Sequence, residues 1–392
     1  MARPTPATGS DTTTDIRPAI KRRRLRHILR RLIDIYSPSG KEEEILDYLQ
    51  STMKRHGLPV VQQAVDSHRF NLLVVPPDQE PRLLLVGHVD TVMAYDLEHF
   101  AHSEQDNVIM GLGAADMKGG CAAMIEAFLA LWESGIRQAP VALALLVGEE
   151  EEGDGAKRLI KDLHIPWALI GEPTNLTPCL SHYGYLELQI VTRGRRMHAS
   201  LANRGLHPVE AMLQMLLKIS QYIRGHRPDI VYNIREVESS PAGFAVPERC
   251  EAWLDFHLPP LAPIGDITLD IEELITAEQQ NNPAFDGIFR FATVHAGYSL
   301  PEKGLIVECL KHTFAERSMD WNPQPFPSHS DANLLWAAGM KPILLGCGEL
   351  EKAHAPDESV SLSQVDAAAE IYLDLMVGLS RQCPSGGCAQ GH

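Results

Sequence analysis

A histidine and an aspartate two residues apart, His88 and Asp90, follow an apolar run that ends in a glycine. The run, 83–86, is typical of a buried parallel strand, and ligands of open α/β sheets bind at the carboxyl ends of such strands. A metal-bound imidazole usually has its second nitrogen held by a carboxylate, so His88 could bind a metal while Asp90 orients its ring. The alternative is a core histidine beside a turn aspartate, and this stretch alone does not decide between them.

Carboxylates follow two further apolar runs in the same way. The run 141–147 leads through a glycine into four adjacent glutamates, Glu149 to Glu152, and the run 167–170 leads through a glycine to Glu172. Adjacent carboxylates repel one another unless solvent or a cation neutralises them. An exposed acidic loop would explain the four glutamates if they stood alone. It does not explain why carboxylates follow a predicted strand and a glycine at both places.

Two more candidate ligands lie in loops. Asp116 stands in a glycine-rich stretch, 110–120, that leads into a helix of small and apolar residues to about Trp132, and His354 follows a fourth apolar run, 342–346. Asp116 could instead be an ordinary helix N-cap. A dinucleotide-binding glycine loop is the competing interpretation of the stretch, but the three-glycine spacing that it requires after a strand is absent.

These residues together supply two imidazoles and three carboxylates to one edge of the predicted sheet. Zinc accepts mixed nitrogen and oxygen ligands, whereas calcium and magnesium favour oxygen alone. Five protein ligands are too many for one tetrahedral zinc, but they suit two ions bridged by one carboxylate, which can hold a water and a scissile carbonyl together. The sequence therefore predicts two zinc ions per chain, with cobalt and manganese as alternatives because they share such ligands.

The charge of the chain limits its partners. The formal net charge of −16 argues against nucleic acid or an anionic membrane surface as partners. No apolar run approaches the ~20 residues that span a bilayer. The basic cluster 21–26 is predicted to be a solvated helix face, and no signal-peptide apolar region follows it.

The seven cysteines are scattered and odd in number, which predicts a reducing, cytoplasmic location. Two of them, Cys383 and Cys388, lie with His392 in a glycine- and serine-containing tail. These three side chains could in principle bind a metal, but such tails are usually disordered.

The pattern of apolar residues predicts an α/β protein of two domains, since 392 residues exceed one ordinary core. A mostly parallel-sheet catalytic domain would comprise 18–184 and 298–380. Alternating strands near 185–192, 250–258 and 288–294, separated by helices, predict an inserted α+β lid or dimerisation domain over 185–297. A second helix, from 41 to about 55, would be capped by Ser39 or Gly40. Residues 1–17 and 381–392 are predicted to be a disordered leader and tail.

With these residues assembled, the chain resembles the zinc-dependent amidohydrolase family that includes acetylornithine deacetylase, succinyl-diaminopimelate desuccinylase, aminoacylase and glutamate carboxypeptidases. The resemblance extends from about residue 25 to 378 and rests on five motifs in the family's order and spacing. The motifs are Gly87-His88-Val89-Asp90-Thr91, Gly113 through Gly119, Glu149-Glu150, Gly171-Glu172-Pro173 and His354.

The resemblance implies a role for each motif residue. One zinc would be held by His88, Asp116 and Glu172, and the other by Asp116, Glu150 and His354, with Asp116 bridging. Glu149 would be the general base, which takes a proton from the bridging water and passes it to the leaving amine, while Asp90 would orient His88. Other registers of the glutamate run are open, but counting back from Gly155-Ala156 selects this one. The peptide bond between Asp116 and Met117 would be cis.

The resemblance also extends into the inserted domain. The segment 194–200 resembles the family's Gly-x-x-x-His-Ser segment, whose histidine stabilises the oxyanion across a dimer interface. His198 would do so here, which implies a homodimer with domain closure. From the residues alone, a surface histidine is the default interpretation.

Two departures from the family concern the substrate. Phe244 and His257 stand where the family commonly has an asparagine and an arginine that grip the substrate carboxylate. A neutral histidine cannot replace a bidentate guanidinium, so that carboxylate is expected to be bound differently or to be missing. The segment 328–332 matches the family's Ser-Asp segment near the substrate, which makes Ser330 and His329 further candidate contacts.

The resemblance therefore implies a metal-dependent hydrolase that cleaves the amide bond of a small N-acylated amino acid or related amine by attack of a metal-bridging hydroxide. A carboxypeptidase or dipeptidase with the same site is the alternative. A catalytically silent relative is a third interpretation, against which the intact ligands and Glu149 argue. The sequence does not name the acyl group or the amine.

Overall fold

The computed structural model describes residues 18–76, 79–283 and 285–382. The predicted leader, 1–17, lies outside the described residues, as do Cys383, Cys388 and His392 of the predicted tail. The first two residues of that tail, Arg381 and Gln382, belong to the last helix.

Nine α-helices lie in the described part of the chain. They are α1 (Arg22–Asp34), α2 (Glu43–Arg55), α3 (Gly119–Glu133), α4 (Asp154–Asp162), α5 (Pro208–His226), α6 (Ile264–Asn281), α7 (Leu305–Glu316), α8 (Asp331–Ala337) and α9 (Leu362–Gln382). A π-helical turn over Ala114–Lys118 precedes α3, and short 3-10 turns cover Ala199–Arg204 and Leu350–Lys352.

Strands alternate with these helices along the chain. They are β1 (Val60–Ala64), β2 (Phe70–Val74), β3 (Leu83–His88), β4 (Ser103–Gln105), β5 (Val108–Met110), β6 (Val141–Leu146), β7 (Trp167–Ile170), β8 (Ser181–His182), β9 (Gly184–Arg193), β10 (Val231–Ser239), β11 (Arg249–Leu258), β12 (Asp286–His295), β13 (Tyr298–Ser299), β14 (Pro325–Phe326), β15 (Lys341–Leu344) and β16 (Ser359–Ser361).

A six-stranded sheet in the order β1-β2-β6-β3-β7-β15 forms the centre of the larger module. Its last four strands run parallel, while β1 and β2 pair antiparallel at one edge. Every residue of β3 and β6 is buried, as expected of strands covered by helices on both faces. The predicted α/β class with a mostly parallel sheet is thereby confirmed. The described residues also form two three-stranded sheets, β13-β8-β14 and β16-β5-β4.

The arginines of α1 pair with carboxylates of the helices beside it. Arg24 Nε lies 2.6 Å from Glu126 Oε2 on α3, and Arg22 Nε lies 3.3 Å from Asp366 Oδ2 on α9. The basic cluster is therefore only partly the solvated helix face predicted from the sequence, because it also ties α1 to α3 and α9.

The predicted cap of α2 is wrong. Glu42 occupies the N-cap position of α2 without a side-chain hydrogen bond to the helix. Ser39 Oγ instead donates to Asp90 Oδ2 over 2.6 Å, so this hydroxyl serves the loop after β3. A long-range carboxylate acceptor replaces the local backbone partner that a cap would use.

A second, antiparallel sheet with the order β10-β11-β9-β12 forms the module between β8 and β13. It has its own hydrophobic core, formed with α5 and α6 from residues between Leu186 and Phe285. The sequence does not predict β10, because this edge strand is exposed at nearly every residue and lacks an alternating pattern. The predicted domain boundaries stay a prediction. Among the described helices, none has the length and apolar character needed to cross a membrane.

Three glycines meet behind the carboxyl edge of the parallel sheet. A Cβ atom added at Gly120, in the first turn of α3, would lie 2.2 Å from the carbonyl oxygen of Gly171, and one added at Gly346 would lie equally close to it. The chain segments after β7 and β15 and the start of α3 can approach this closely only because these residues lack side chains.

Gly120→Ala should therefore destabilise the protein by about 3 kcal/mol, since the new methyl group meets backbone that cannot move aside. Gly378→Ala is the matched control, because Gly378 also lies within a helix but has no atom within 4 Å of the added Cβ. There the gain in helix propensity should stabilise the protein by up to about 1 kcal/mol. Urea denaturation measures both; equal effects of the two substitutions would contradict the assigned contact.

Candidate metal centre

The parallel strands bring the predicted ligands to one edge of the sheet. His88 is the last residue of β3, and Glu172 follows β7, its parallel neighbour. Glu150 follows β6, which pairs with β3 on the other side. Because parallel strands end at the same edge, their following loops lie side by side. The five candidate ligands are His88, Asp116, Glu150, Glu172 and His354.

The side chains of the candidate ligands form two groups that share one carboxylate. The first group contains His88, Asp116 and Glu172, and the second contains Asp116, Glu150 and His354. Within each group the nitrogen and oxygen atoms that could bind an ion lie within 4.8 Å of one another. Each group supplies one imidazole and two carboxylates, a ligand set that zinc accepts.

Asp116 is placed to bridge the two groups. Its Oδ1 lies 3.2 Å from His88 Nε2, and its Oδ2 lies 3.5 Å from His354 Nε2. His354 Nε2 is also 3.0 Å from Glu150 Oε2. One carboxylate oxygen therefore faces each imidazole, which is the geometry of a carboxylate between two ions.

The backbone around Asp116 is held by a distant carboxylate. Glu358, whose residue is 3% exposed, accepts hydrogen bonds from the backbone N–H groups of Gly113, Ala115 and Asp116 at 2.8, 2.9 and 3.0 Å. Burial raises the pKa of Glu358 to about 7, and these donors oppose the rise. The peptide bond between Asp116 and Met117 is cis. Asp116 is not a helix cap, because the N-cap of α3 is Lys118.

Asp90 serves mainly the glutamate loop. The closest Asp90 oxygen to His88 Nδ1 is the backbone carbonyl at 3.1 Å, while the carboxylate Oδ1 is 3.6 Å away. The carboxylate accepts the backbone N–H groups of Glu149 and Glu150 at 3.2 and 3.1 Å. Burial raises the pKa of Asp90, but His88 and these donors outweigh it, so the pKa lies below the ordinary value. Asp90 thus fixes the glutamate loop relative to His88.

Glu149 lies beside the first group of ligands. Its Oε2 is 3.8 Å from His88 Nε2, and its side chain is almost fully buried. Burial raises the pKa of Glu149 well above the ordinary value; His88 opposes the rise, and the carboxylates of Glu172 and Asp331 add to it. A carboxyl group with a raised pKa can both accept and return a proton near neutral pH.

Asp331 is a site residue that the sequence does not predict. It is the first residue of α8 and is buried, and its carboxyl group interacts electrostatically with His88 and Asp90. Burial raises its pKa to about 7, His88 opposes the rise, and Asp90 adds to it. Asp331 belongs to the Ser-Asp segment, from which the sequence predicts only the neighbouring Ser330 and His329 as contacts.

The crowding of carboxylates fits the binding of cations. Burial raises the pKa values of Glu150 and Glu172, and the charge of Asp116 raises both further. Glu150 Oε1 is buried and has no hydrogen-bond partner among the described residues. A carboxylate oxygen rarely remains buried and unpaired. His354 also has a left-handed backbone, with a φ of 59°, which is uncommon for a residue with a side chain. Metal ions at these positions would satisfy the oxygen and neutralise the charges.

The predicted substrate residues divide into two places. His257 and His329 lie with Tyr185 where the inserted module meets the rest of the chain, with ring centroids 5.5 and 4.7 Å from that of Tyr185. Burial lowers the pKa values of both histidines, so both are neutral near pH 7. Ser330 Oγ lies 2.9 Å from His182 Nε2 and accepts the Ala332 N–H as the N-cap of α8.

Phe244 and His198 lie in the inserted module and face solvent. Phe244 is 92% exposed, and its carbonyl accepts the Ala199 N–H. His198 is also exposed, and its Nδ1 lies 2.8 Å from Ser200 Oγ. Neither side chain forms a hydrogen bond or ion pair with the five candidate ligands in the described part of the chain.

Comparison with known proteins finds similarity over most of the chain. The sequence matches the profile of peptidase family M20/M25/M40 over residues 84–377. An acetylornithine deacetylase of Edwardsiella ictaluri is 30% identical over 345 residues, which cover 81% of this chain and 86% of the relative. A probable carboxypeptidase of Aspergillus oryzae is 26% identical over 378 residues, which cover 88% of this chain and 85% of the relative.

The fold is shared with solved structures. A tripeptidase from Staphylococcus aureus superposes with a TM-score of 0.76 at 20% sequence identity, covering 93% of this chain and 100% of the other. At this identity the likeness concerns the fold.

The shared position of Asp116 gives a test by metal content. Asp116→Asn removes a charged ligand from both groups, so bound zinc should fall from about two ions per chain to below one. His354→Ala affects only the second group and should leave about one ion. His99→Ala, which changes an exposed histidine outside both groups, is the control. Inductively coupled plasma mass spectrometry after dialysis measures the content; two ions retained by Asp116→Asn would refute the bridging role.

Proposed function

We propose that this chain, which belongs to peptidase family M20/M25/M40, hydrolyses the amide bond of a small N-acylated amino acid or related amine. The observation that carries the proposal is that Asp116 is shared by two groups of candidate ligands, with Glu149 beside them. The acetylornithine deacetylase relative supports a deacylase over other amide hydrolases.

His88, Asp116 and Glu172 would hold one zinc ion, and Asp116, Glu150 and His354 would hold a second. Cobalt or manganese suits the same ligands. Such ions, when bound, supply Lewis acidity that makes water acidic and polarises the scissile carbonyl.

Glu149 would carry the proton between the two halves of the reaction. It accepts a proton from the attacking water as the water oxygen bonds to the carbonyl carbon. It then donates that proton to the nitrogen as the C–N bond breaks, so that a carboxylic acid and an amine leave. Its buried position, with Oε2 3.8 Å from Nε2 of the candidate ligand His88, supports this role.

The substrate would lie between the metal centre and the inserted module. His257 Nδ1 is buried and has no hydrogen-bond partner among the described residues, which supports a contact between His257 and the substrate. His329 and Phe244 stay candidate contacts. Ser330 stays a prediction, and its hydroxyl already engages His182 and the Ala332 amide.

Peptide hydrolysis at the same site is the second candidate function. The probable carboxypeptidase of Aspergillus oryzae, 26% identical over 88% of this chain, favours it. Both functions use the same attack on an amide carbonyl, so they differ only in the groups on either side of the bond.

A substrate panel distinguishes these functions. The metal-loaded protein should release amine from one class of N-acetyl, N-succinyl or N-formyl amino compounds faster than from dipeptides, because the proposed site selects an acyl group. Each compound is tested with its carboxylate free and blocked, and free amine is quantified. Equal rates for the two forms would show that the carboxylate is not recognised, whereas cleavage of dipeptides alone would establish the peptidase alternative.

Substitutions within the glutamate run test the proton carrier. Glu149→Ala should reduce kcat by about a thousandfold because the general base is lost, while metal content stays near that of the unchanged protein. Glu151→Ala is the matched control, since this neighbouring glutamate is exposed and should retain activity. Full activity of Glu149→Ala would remove Glu149 from the mechanism, and loss in Glu151→Ala alone would shift the register.

We also propose a homodimer in which His198 reaches the partner's metal centre. Exposed apolar side chains on the inserted module support it. β10 is an edge strand that exposes Val231 and Val237, and α5 exposes Leu217 beside it. A hydrogen bond between Ser220 and Tyr232 joins α5 to β10. An unpaired strand edge beside an apolar helix face is suited to a symmetric contact with a second copy.

Leu217→Glu should convert the dimer to a monomer, because it places a charge in the proposed contact. Leu269→Glu is the control, since Leu269 is similarly exposed, 52% against 57%, but lies on α6. Light scattering after gel filtration measures the mass. A monomeric unchanged protein, or dissociation by both substitutions alike, would contradict this interface.

The cytoplasmic location stays our proposal. The five described cysteines, which are Cys121, Cys179, Cys250, Cys309 and Cys347, are buried and form no disulfide with one another, as suits a reducing compartment.

A further inference from the structure

The chain passes between its two modules at two places that lie side by side. The first crossing runs from β8 to β9 through Gly184, and the second runs from β12 to β13 through Gly297. A Cβ atom added at Gly184 would lie 2.8 Å from the Gly297 nitrogen, and one added at Gly297 would lie 2.7 Å from the Gly184 nitrogen. The two crossings therefore touch through their backbones, and together they form the connection between the two modules.

One buried amide holds both crossings. Asn333 Nδ2 donates to the carbonyl of Tyr183 over 3.0 Å and to the carbonyl of Ala296 over 3.1 Å. The residue is 2% exposed. Its Oδ1 accepts the Ser330 N–H over 3.3 Å, which completes the capping box of α8. Because its donors and its acceptor are directed to different parts of the chain, Asn333 joins the crossings to the start of α8.

His329 also connects this part of the chain to the inserted module. Its Nε2 lies 2.8 Å from His295 Nδ1, at the end of β12, and the two rings stack with centroids 5.0 Å apart. Its ring also packs against Tyr185, near the start of β9. Tyr185 and His295 are opposite each other in the sheet of the inserted module. His329 thus contacts the end of that sheet nearest the crossings.

The same short segment reaches the metal centre. Asp331 lies between His329 and Asn333 in sequence, and its buried carboxyl group interacts electrostatically with His88 and Glu149. Within residues 329–333, the side chains of His329 and Asn333 therefore contact the inserted module and its crossings. The side chain of Asp331 faces the candidate metal ligands. A change in the angle of the inserted module would move this segment, because it is fixed to both crossings.

We propose that Asn333 and His329 are positioning residues that fix the orientation of the inserted module relative to the metal centre. Their effect on turnover rests on the proposed function, whereas their effect on orientation does not. The sequence gives no motif for this role, since both residues act through contacts with β12 and the crossings.

Asn333→Asp removes the hydrogen bonds from Asn333 to the two crossings without removing the cap of α8. The carboxylate keeps an acceptor for the Ser330 N–H but loses both donors and repels the carbonyls of Tyr183 and Ala296. Spin labels at Lys54→Cys on α2 and Glu272→Cys on α6 report the distance between the modules by pulsed electron paramagnetic resonance. Cys383 and Cys388 are replaced by serine, and labelled chains are diluted with unlabelled ones so that a dimer contributes one pair.

The expected result is a broader or shifted distance distribution, with metal content unchanged. If the proposed function holds, kcat/KM should also fall by about tenfold to a hundredfold because the substrate is misplaced.

His295→Phe is the second variant, since it keeps the ring stacking, loses the hydrogen bond to His329 and leaves α8 unchanged. It should change the distance distribution in the same way. A lower Tm with an unchanged distribution in both variants would identify a merely structural role and overturn the proposal. Absence of turnover in the unchanged protein would refute only the proposed function.

Discussion

The structure depends on the accommodation of buried negative charge at one edge of a parallel sheet. Burial raises the pKa values of Glu149, Glu150 and Glu172, whereas His88 keeps that of Asp116 below its ordinary value. Carboxylates this close together are costly unless a cation lies among them. The fold places them there because four parallel strands end at the same edge, and the glycine contacts behind that edge let the strands' loops converge.

Two further carboxylates support the loops that carry the candidate ligands. Asp90 accepts two backbone N–H groups of the glutamate loop, and Glu358 accepts three from the loop of Asp116. Hydrogen bonds from backbone N–H groups to a carboxylate are stronger than those between neutral groups. The loops that carry the candidate ligands are therefore held by other parts of the chain, and their side chains remain directed at the site. Such support keeps ligands in position before an ion binds.

The sequence predicts the parts of this site that depend on local pattern. His88, Glu150 and Glu172 each follow an apolar run and a glycine, so the strand and its end can be located from neighbouring residues alone. Contacts between distant residues leave no such pattern. Glu358 is 242 residues from Asp116, and Asn333 is 150 residues from Tyr183, so neither role could be found from spacing. Ser39 was expected to cap α2 because only local partners are visible in a sequence, and β10 was missed because an exposed edge strand needs no apolar face.

The inserted module separates the candidate metal ligands along the chain, and it therefore also separates them in the order of synthesis. The three residues of the first ligand group, His88, Asp116 and Glu172, all precede the module in the chain, whereas His354 of the second group follows it. The complete first group is therefore synthesised before the inserted module. The second group is complete only after β15, which pairs with β7, has also been synthesised. Because domains fold as units during synthesis, the antiparallel module can form while the parallel sheet still lacks its last strand. The two halves of the centre are thus completed at separate stages of the protein's synthesis.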